Sequence, residues 1–251
     1  MRQRVIAGNW KMNGSRSTIV ALLESLKASV EPQSGVKWIV FPPFVYIEQV
    51  AQALENTPIA WGGQNLSDAA QGAYTGEVAG TMLRDVGCEF VLVGHSERRA
   101  LYGEGDSVVA QKFVAALAAG LKPILCVGET LVEREQGLTY QVIERQLEAV
   151  IASGVSLKNA MIAYEPVWAI GTGKTASAKE AQDVHSRIRA QVAKRDEALA
   201  IKLPILYGGS VKANNAQGFF AMPDVDGVLV GGASLDAQEF LEIGRASVRE
   251  P

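Results

Sequence analysis

The segment AYEPVWAIGTGKTA (163–176) places a carboxylate, Glu165, directly before a proline and a glycine-rich stretch. A carboxylate can act as a catalytic base, while the GTGKT core is typical of loops that cradle phosphate groups. A nucleotide phosphate loop requires glycine five residues before the glycine of GK[ST], and Trp168 occupies that position. The shortened dinucleotide pattern fits the glycines, but it opens a βαβ unit straight off a strand, and here Pro166–Ile170 intervene. Nucleotide binding is therefore disfavoured.

The same residues are better explained as a lid beside a catalytic base. Pro166 fixes its own φ and restricts the backbone of Glu165, which makes a stiff hinge. The glycines that follow can adopt conformations closed to other residues. An apolar middle, VWAI (167–170), suits a cover that excludes water. We predict a lid over residues 166–176; a merely long connection between a strand and a helix is the alternative.

Other polar residues stand at equivalent points of the chain. Asn9 and Lys11 follow the first β-rich run, His95 and Glu97 follow the fourth, and glycine-rich turns follow the seventh and eighth. The carboxyl ends of parallel strands meet on one face of a barrel, so these side chains are expected to converge with Glu165. That convergence is the geometry of an active site.

The elements that position them alternate along the whole chain. Most of the β-rich runs are continuously apolar, as in strands covered on both faces in a parallel sheet. The runs are RVIAGNW (4–10), VKWIVF (36–41), IAWGGQ (59–64), EFVLVGH (89–95), KPILCVGE (122–129), AMIAYEP (160–166), LPILYGG (203–209) and DGVLVGG (226–232). Residues with helical spacing lie between them, namely Val142, Ile143, Leu147, Val150 and Ile151, and then Val184, Ile188 and Val192.

About eight βα units predict an α/β protein, a single-domain (β/α)₈ barrel over residues 1–251. An open doubly wound sheet uses the same units and remains the alternative on pattern alone. No linker or composition shift marks a second domain.

Composition limits the partners. The chain has 251 residues, 48% hydrophobic and 20% charged, and a net charge of −3 without a basic run, so no nucleic-acid partner is expected. No signal peptide and no apolar run of membrane-spanning length are present, so no membrane partner is expected. Cys88 and Cys126 lie in apolar contexts and are interpreted as reduced thiols of a cytoplasmic protein. With two histidines and no cysteine cluster, a metal site is not expected.

Five motifs together resemble one family. GNWKMNG (8–14), VGHSERR (93–99), AYEPVWAIGTGKTA (163–176), YGGSV (207–211) and LVGGASL (229–235) are similar, in this order, to motifs of triosephosphate isomerase. The resemblance runs from the first strand to the last helix. It implies a TIM barrel that interconverts dihydroxyacetone phosphate and D-glyceraldehyde 3-phosphate, in glycolysis and gluconeogenesis, with no metal or organic cofactor.

The resemblance also implies catalytic roles. Glu165 would remove a carbon-bound proton, and His95 would donate a hydrogen bond to the enediolate oxygens; the family is a standard example of this acid–base tuning. SERR after His95 predicts a helix start with Ser96 as the N-cap. A helix N-terminus disfavours imidazolium, so the ring is expected to be neutral.

Substrate binding is implied at both ends of the site. Lys11 would supply a fixed positive charge and Asn9 would help to bind the substrate oxygens. Glu97 is expected close to Lys11, either to hold it or to take part in proton transfer. The implied phosphate-binding residues are Gly171, Ser210, Gly231 and Gly232.

A long loop, NLSDAAQGAYTGEV (65–78), follows the third strand. The resemblance implies that this loop inserts into a neighbouring subunit, that Thr75 reaches the partner's active site, and that the protein is a homodimer. Two other functions remain as alternatives. One is an aldolase-like barrel in which Lys11 forms a Schiff base, and the other is a nucleotide-binding module that uses GTGKTA.

Overall fold

The computed structural model describes residues 2–31, 35–170 and 175–248. Strands and helices alternate throughout them, as predicted. The strands are β1 (Arg4–Asn9), β2 (Val36–Phe41), β3 (Ile59–Gly63), β4 (Phe90–Val93), β5 (Lys122–Val127), β6 (Met161–Tyr164), β7 (Ile205–Tyr207) and β8 (Gly227–Val230). They form a closed barrel in sequence order, with neighbouring strands parallel. The predicted (β/α)₈ barrel is confirmed, and the open sheet is excluded.

The barrel closes where β8 pairs with β1. The register runs from Val5↔Gly227 to Gly8↔Val230. A Cβ at Gly227 would lie 2.2 Å from the carbonyl oxygen of Val5, so the close approach of the two strands requires glycine.

Local sequence signals set where several helices begin. The helices are α1 (Arg16–Ser29), α2 (Ile47–Leu54), α3 (Gly80–Asp85), α4 (Ser96–Tyr102), α5 (Asp106–Ala118), α6 (Leu131–Glu135), α7 (Thr139–Ile151), α8 (Ala178–Ala193), α9 (Glu197–Lys202), α10 (Ala213–Phe220) and α11 (Ala237–Ala246). Ser15, Thr130 and Ser177 form capping boxes at the starts of α1, α6 and α8. Each box satisfies backbone N–H groups that the first helical turn leaves without an acceptor.

The core has two layers. One cluster consists of strand residues alone and fills the barrel, and the larger cluster lies between the strands and the helices. The predicted apolar faces of α7 and α8 belong to the larger cluster. Its buried members there are Val142, Ile143, Leu147 and Val150, with Val184, Ile188 and Val192; Ile151, at the end of α7, is only partly buried.

The segment after β3 is a long loop, as predicted. The Ser67 N–H donates to the Val78 carbonyl at 2.8 Å, and Ser67 forms an isolated bridge with Ala79, so the base of the loop is closed. Residues 71–77 between these anchors are exposed.

Both cysteines are buried free thiols, which confirms that they belong to the core. Burial raises the pKa of Cys88 to about 12 and the pKa of Cys126 well above its usual range. Across the described ranges, no helix combines the length and apolar character needed to cross a membrane.

Candidate active site

The strand-end residues selected from the sequence converge on one cavity. It has a volume of about 300 Å³ and lies at the carboxyl ends of the strands. The predicted residues in its lining are Asn9, Lys11, His95, Glu165, Ser210, Gly231 and Gly232. Glu97 is not in the lining but contacts Lys11. Gly171 lies outside the described residues.

Glu165 follows β6 and is held by β5 and by the segment that follows β4. Its N–H donates to the Val127 carbonyl at 2.7 Å. Its side chain is 2% exposed, and the two carboxylate oxygens have separate partners. Oε2 accepts from the Ser96 N–H at 2.9 Å, and Oε1 lies 3.1 Å from Nε2 of His95. A buried carboxylate with a separate partner on each oxygen is held in one orientation.

Glycines that follow the strands beside β6 make room for Glu165, a role that the sequence analysis did not predict. A Cβ at Gly128 would lie 1.8 Å from the Glu165 carbonyl oxygen, and a Cβ at Gly208 would lie 2.9 Å from its Cγ. Gly128 and Gly208 each follow a strand that borders β6, which is a signal that the sequence did contain.

His95 itself caps α4, so the prediction of Ser96 as the N-cap was wrong. The helix begins at Ser96, and Nδ1 of His95 accepts from the Glu97 N–H at 3.2 Å. His95 has the non-helical backbone that an N-cap needs, whereas Ser96 is already helical and donates its N–H to Glu165. Because Nδ1 accepts, a neutral ring carries its proton on Nε2, which faces the carboxylate.

Lys11 occupies a strained backbone position that two side chains support. Its φ of 52° is in the left-handed region. The Lys11 N–H donates to Oδ1 of Asn9 at 3.0 Å, and Nε2 of Gln64 donates to the Lys11 carbonyl at 2.8 Å and to the Phe41 carbonyl at 2.9 Å. Its ammonium group lies 2.5 Å from Oε1 of Glu97, which confirms the predicted contact. Gln64 was not predicted.

Backbone after β8 forms another part of the cavity lining. Gly231 and Gly232 follow β8, and Gly232 begins a 3-10 turn that ends at Leu235. The Ser234 hydroxyl and N–H both donate to the Gly231 carbonyl, at 2.7 and 2.9 Å. The first N–H groups of such a turn have no acceptor within it, so they are available to an anion in the cavity.

The segment after Glu165 does not have the geometry of a nucleotide loop. Pro166 leads into a 3-10 turn, Val167–Ala169, so the strand does not run straight into the glycines. Trp168 donates from Nε1 to Oε1 of Glu129 at 2.9 Å, and the guanidinium of Arg134 lies 4.2 Å from its ring centroid. The described part of the predicted lid is thus anchored on the α6 side of the site.

Comparison with known proteins agrees with this geometry. The family model described as triosephosphate isomerase matches residues 4–247. The triosephosphate isomerase of Thiobacillus denitrificans is 56% identical over 251 residues, which cover 99% of this chain and 100% of that protein. Those of Nitrosococcus oceani and Pseudomonas putida are 56% and 54% identical, over 98% of this chain and 100% and 99% of their own lengths. The chain belongs to the triosephosphate isomerase family.

Proposed function

We propose that the chain interconverts dihydroxyacetone phosphate and D-glyceraldehyde 3-phosphate through an enediolate. Family membership supports the reaction. The observation that carries the assignment of residues is the 3.1 Å contact between Nε2 of His95 and Oε1 of Glu165 in a cavity that also contains Lys11. Moving a carbonyl to the neighbouring carbon needs a base, a donor to the oxygens and a compensating charge, and these three side chains supply one each.

Glu165 is proposed as the base. Its carboxylate is almost fully buried, so few water molecules compete for it. Without substrate, the carboxylate contacts Ser96 and His95. To reach a substrate carbon, it leaves these two partners and moves toward the bound triose. The space left by Gly208 beside its Cγ accommodates that movement.

His95 is proposed as the donor to the substrate oxygens. With Nδ1 occupied by the Glu97 N–H, only Nε2 can donate, and it points into the cavity. A neutral imidazole that gives a proton to one oxygen can recover one from the other, so the same ring serves both substrate oxygens.

Lys11 is proposed to stabilise negative charge on the enediolate, and Asn9 to bind the substrate oxygens. Between the two roles open for Glu97, the structure supports holding Lys11. Its carboxylate lies 2.5 Å from the ammonium but 3.7 Å from Nδ1 of His95, on the side of the ring away from Glu165. An ion-paired ammonium also has no free lone pair, which disfavours the Schiff-base alternative.

The phosphate group is proposed to bind at Gly231, Gly232 and Ser210, with Gly171 as a fourth donor. Three of these line the cavity that also contains the catalytic side chains. We also propose that residues 166–176 close over the bound triose as a lid.

A homodimer formed through residues 65–78 is part of the proposal, with Thr75 near the partner's active site. Large apolar side chains in the segments that follow β1 to β4 support it, since they are exposed in a single chain. They are Met12 at 94%, Val45 at 81%, Tyr74 at 55%, Leu101 at 75% and Tyr102 at 69% exposure. We propose a cytoplasmic site of action, which the buried free thiols support.

A coupled assay of glyceraldehyde 3-phosphate consumption, run with and without EDTA, tests the function. We expect turnover that EDTA does not change and that Glu165→Gln nearly abolishes. Absence of turnover in the purified protein would overturn the proposal. Trapping of the substrate on Lys11 by borohydride would replace it with the aldolase-like mechanism.

A further inference from the structure

The hydrogen-bond ladder between β4 and β5 stops just below the active site. Its last registered pair is Val93↔Leu125. The next residues along the two strands are Gly94 and Cys126. Gly94 directly precedes His95. Cys126 directly precedes Val127, whose carbonyl accepts the Glu165 N–H. The end of β4, which leads into His95, and the end of β5, which accepts the Glu165 N–H, therefore continue past their last registered pair.

The guanidinium of Arg99 joins those two residues. Nε donates to the Gly94 carbonyl at 2.8 Å, and Nη2 donates to the Cys126 carbonyl at 3.3 Å. A planar guanidinium can hold two acceptors in a fixed relation, which a lysine ammonium cannot do. Arg99 thus replaces the missing backbone contact between the strands.

Arg99 belongs to the same turn that His95 begins. Its N–H donates to the His95 carbonyl at 3.1 Å, while its side chain returns to the residue before His95. Gly94 has a φ of 73°, and a Cβ there would lie 2.7 Å from Val109 and 3.1 Å from Nη2 of Arg99. The backbone on both sides of His95 is therefore held by Arg99.

The guanidinium is fixed in turn by Asp106, the first residue of α5. Nη1 of Arg99 donates to one oxygen of Asp106 at 2.7 Å, and Nε of Arg145 donates to the other at 2.9 Å. The Arg99 side chain is 15% exposed, whereas that of Arg145 is 59% exposed and has no contact with either strand end among those described.

We propose that Arg99 is a positioning residue for the isomerisation, and that it sets the orientation of the His95 imidazole by fixing the Gly94 and Cys126 carbonyls. It does not touch the substrate cavity. The inference rests on the proposed role of His95. A shift of about 1 Å in a catalytic group can lower a rate by on the order of a hundredfold.

Arg99 also lines a second cavity, of about 290 Å³, which Ser96 and Glu165 line as well. Truncation of Arg99 would leave a guanidinium-sized space connected to that cavity. This makes chemical rescue a direct test, because an added guanidinium ion could occupy the vacated position.

The experiment compares Arg99→Ala with Arg145→Ala, which removes the same charge from the same Asp106. We expect kcat to fall at least about tenfold in Arg99→Ala with KM changed about twofold or less, and neither to change appreciably in Arg145→Ala. Tens of millimolar guanidinium should restore much of the lost kcat, while equal concentrations of ammonium chloride or urea should not. A normal kcat in Arg99→Ala, or equal losses in the two variants, would overturn the proposal.

A double-mutant cycle with His95→Gln separates this inference from the assignment of His95. If Arg99 acts through His95, Arg99→Ala should cost little further activity in the His95→Gln background. An undiminished cost there would refute action through His95, whereas full activity of His95→Gln alone would refute the role of His95 itself.

If Arg99→Ala does not fold, Arg99→Lys serves instead, and the 15N resonance of His95 Nε2 is expected to move in that variant. An unmoved resonance with normal kcat would also overturn the proposal.

Discussion

The two histidines of this chain are both buried, but the groups around their imidazole nitrogens differ. His95 is 6% exposed, with one nitrogen accepting from a helix N–H and the other facing the Glu165 carboxylate in a solvent-connected cavity. His185 is fully buried on α8, packs edge-on against Tyr164 and contacts the Asp224 carbonyl at 3.1 Å through Nδ1. Its Nε2 has no partner among the described residues.

The difference lies in what each ring could do with a proton. Nε2 of His95 lies beside the Glu165 carboxylate and borders the cavity, which has room for a substrate oxygen. This nitrogen can therefore exchange a proton with a bound substrate. Nε2 of His185 has no hydrogen-bond partner among the described residues, and burial lowers the pKa of this histidine to about 4. Burial alone therefore does not indicate catalysis; a second polar partner across a cavity does.

Replacing the histidines one at a time should give the largest separation. His95→Gln is expected to lower kcat by about 10²–10⁴, the usual contribution of a positioned general acid or base. His185→Gln should leave kcat nearly unchanged and instead lower the free energy of unfolding, by about 1–3 kcal/mol, because the core loses a fitted ring. Steady-state kinetics and urea unfolding on both variants provide the measurements. Comparable kcat losses would abolish the distinction between the two rings.

Acid should destabilise the protein through His185. In the unfolded chain its pKa is near 6.5 and in the folded protein about 4, so between these values only the unfolded state binds the proton. The contribution of His185 to the free energy of unfolding is fully present above pH about 6.5 and decreases as the pH falls toward 4. Below about pH 4 it changes no further. The two pKa values differ by about 2.5, which corresponds to about 3 kcal/mol.

Urea unfolding between these pH values measures the effect, with His185→Gln as the control. The variant should show a flatter dependence of the free energy of unfolding on pH. Parallel pH profiles for the variant and the original chain would mean that His185 does not titrate as its burial predicts.

Shortening the partner of His95 should cost less than removing His95. Glu165→Asp keeps a carboxylate but withdraws it by one methylene, and a misplacement of about 1 Å can cost on the order of a hundredfold in rate. The loss should fall on kcat more than on KM, since the substrate's other contacts remain. Kinetics over a range of triose phosphate concentrations separate the two constants, and a near-normal kcat would remove Glu165 from the role of base.

Much of this architecture follows from local sequence signals. Apolar runs between helical periodicities predict a parallel α/β sheet, and the count of about eight units favours a barrel. Polar residues at the ends of the runs predict which side chains meet. Gln64 was not predicted because its contact with the Lys11 carbonyl depends on how β3 lies relative to β1. Ser96 was chosen over His95 as the cap because serine is the commoner cap; the tertiary contact from its N–H to Glu165 reversed that preference. The role of the glycines beside Glu165 was not predicted because it depends on their distance from Glu165, which only the folded barrel sets.

The smallest expected effect concerns Glu97, which links His95 to Lys11. Its backbone N–H orients the imidazole and its side chain pairs with the ammonium, so a side-chain substitution tests the second function alone. Glu97→Gln preserves the N–H and an oxygen that can accept from Lys11. Because the Glu97 side chain is 43% exposed, the pair is expected to contribute about 0.2–1 kcal/mol, a few-fold change in kcat/KM.

If Glu97 instead transferred protons, the amide could not replace it, and kcat would fall by an amount comparable to His95→Gln. Measuring kcat/KM for Glu97→Gln, with Glu135→Gln at an exposed position of α6 as a matched control, decides between the two roles. A few-fold loss supports holding of Lys11, and a loss of a hundredfold or more, as general acid–base groups cause, would assign proton transfer to Glu97.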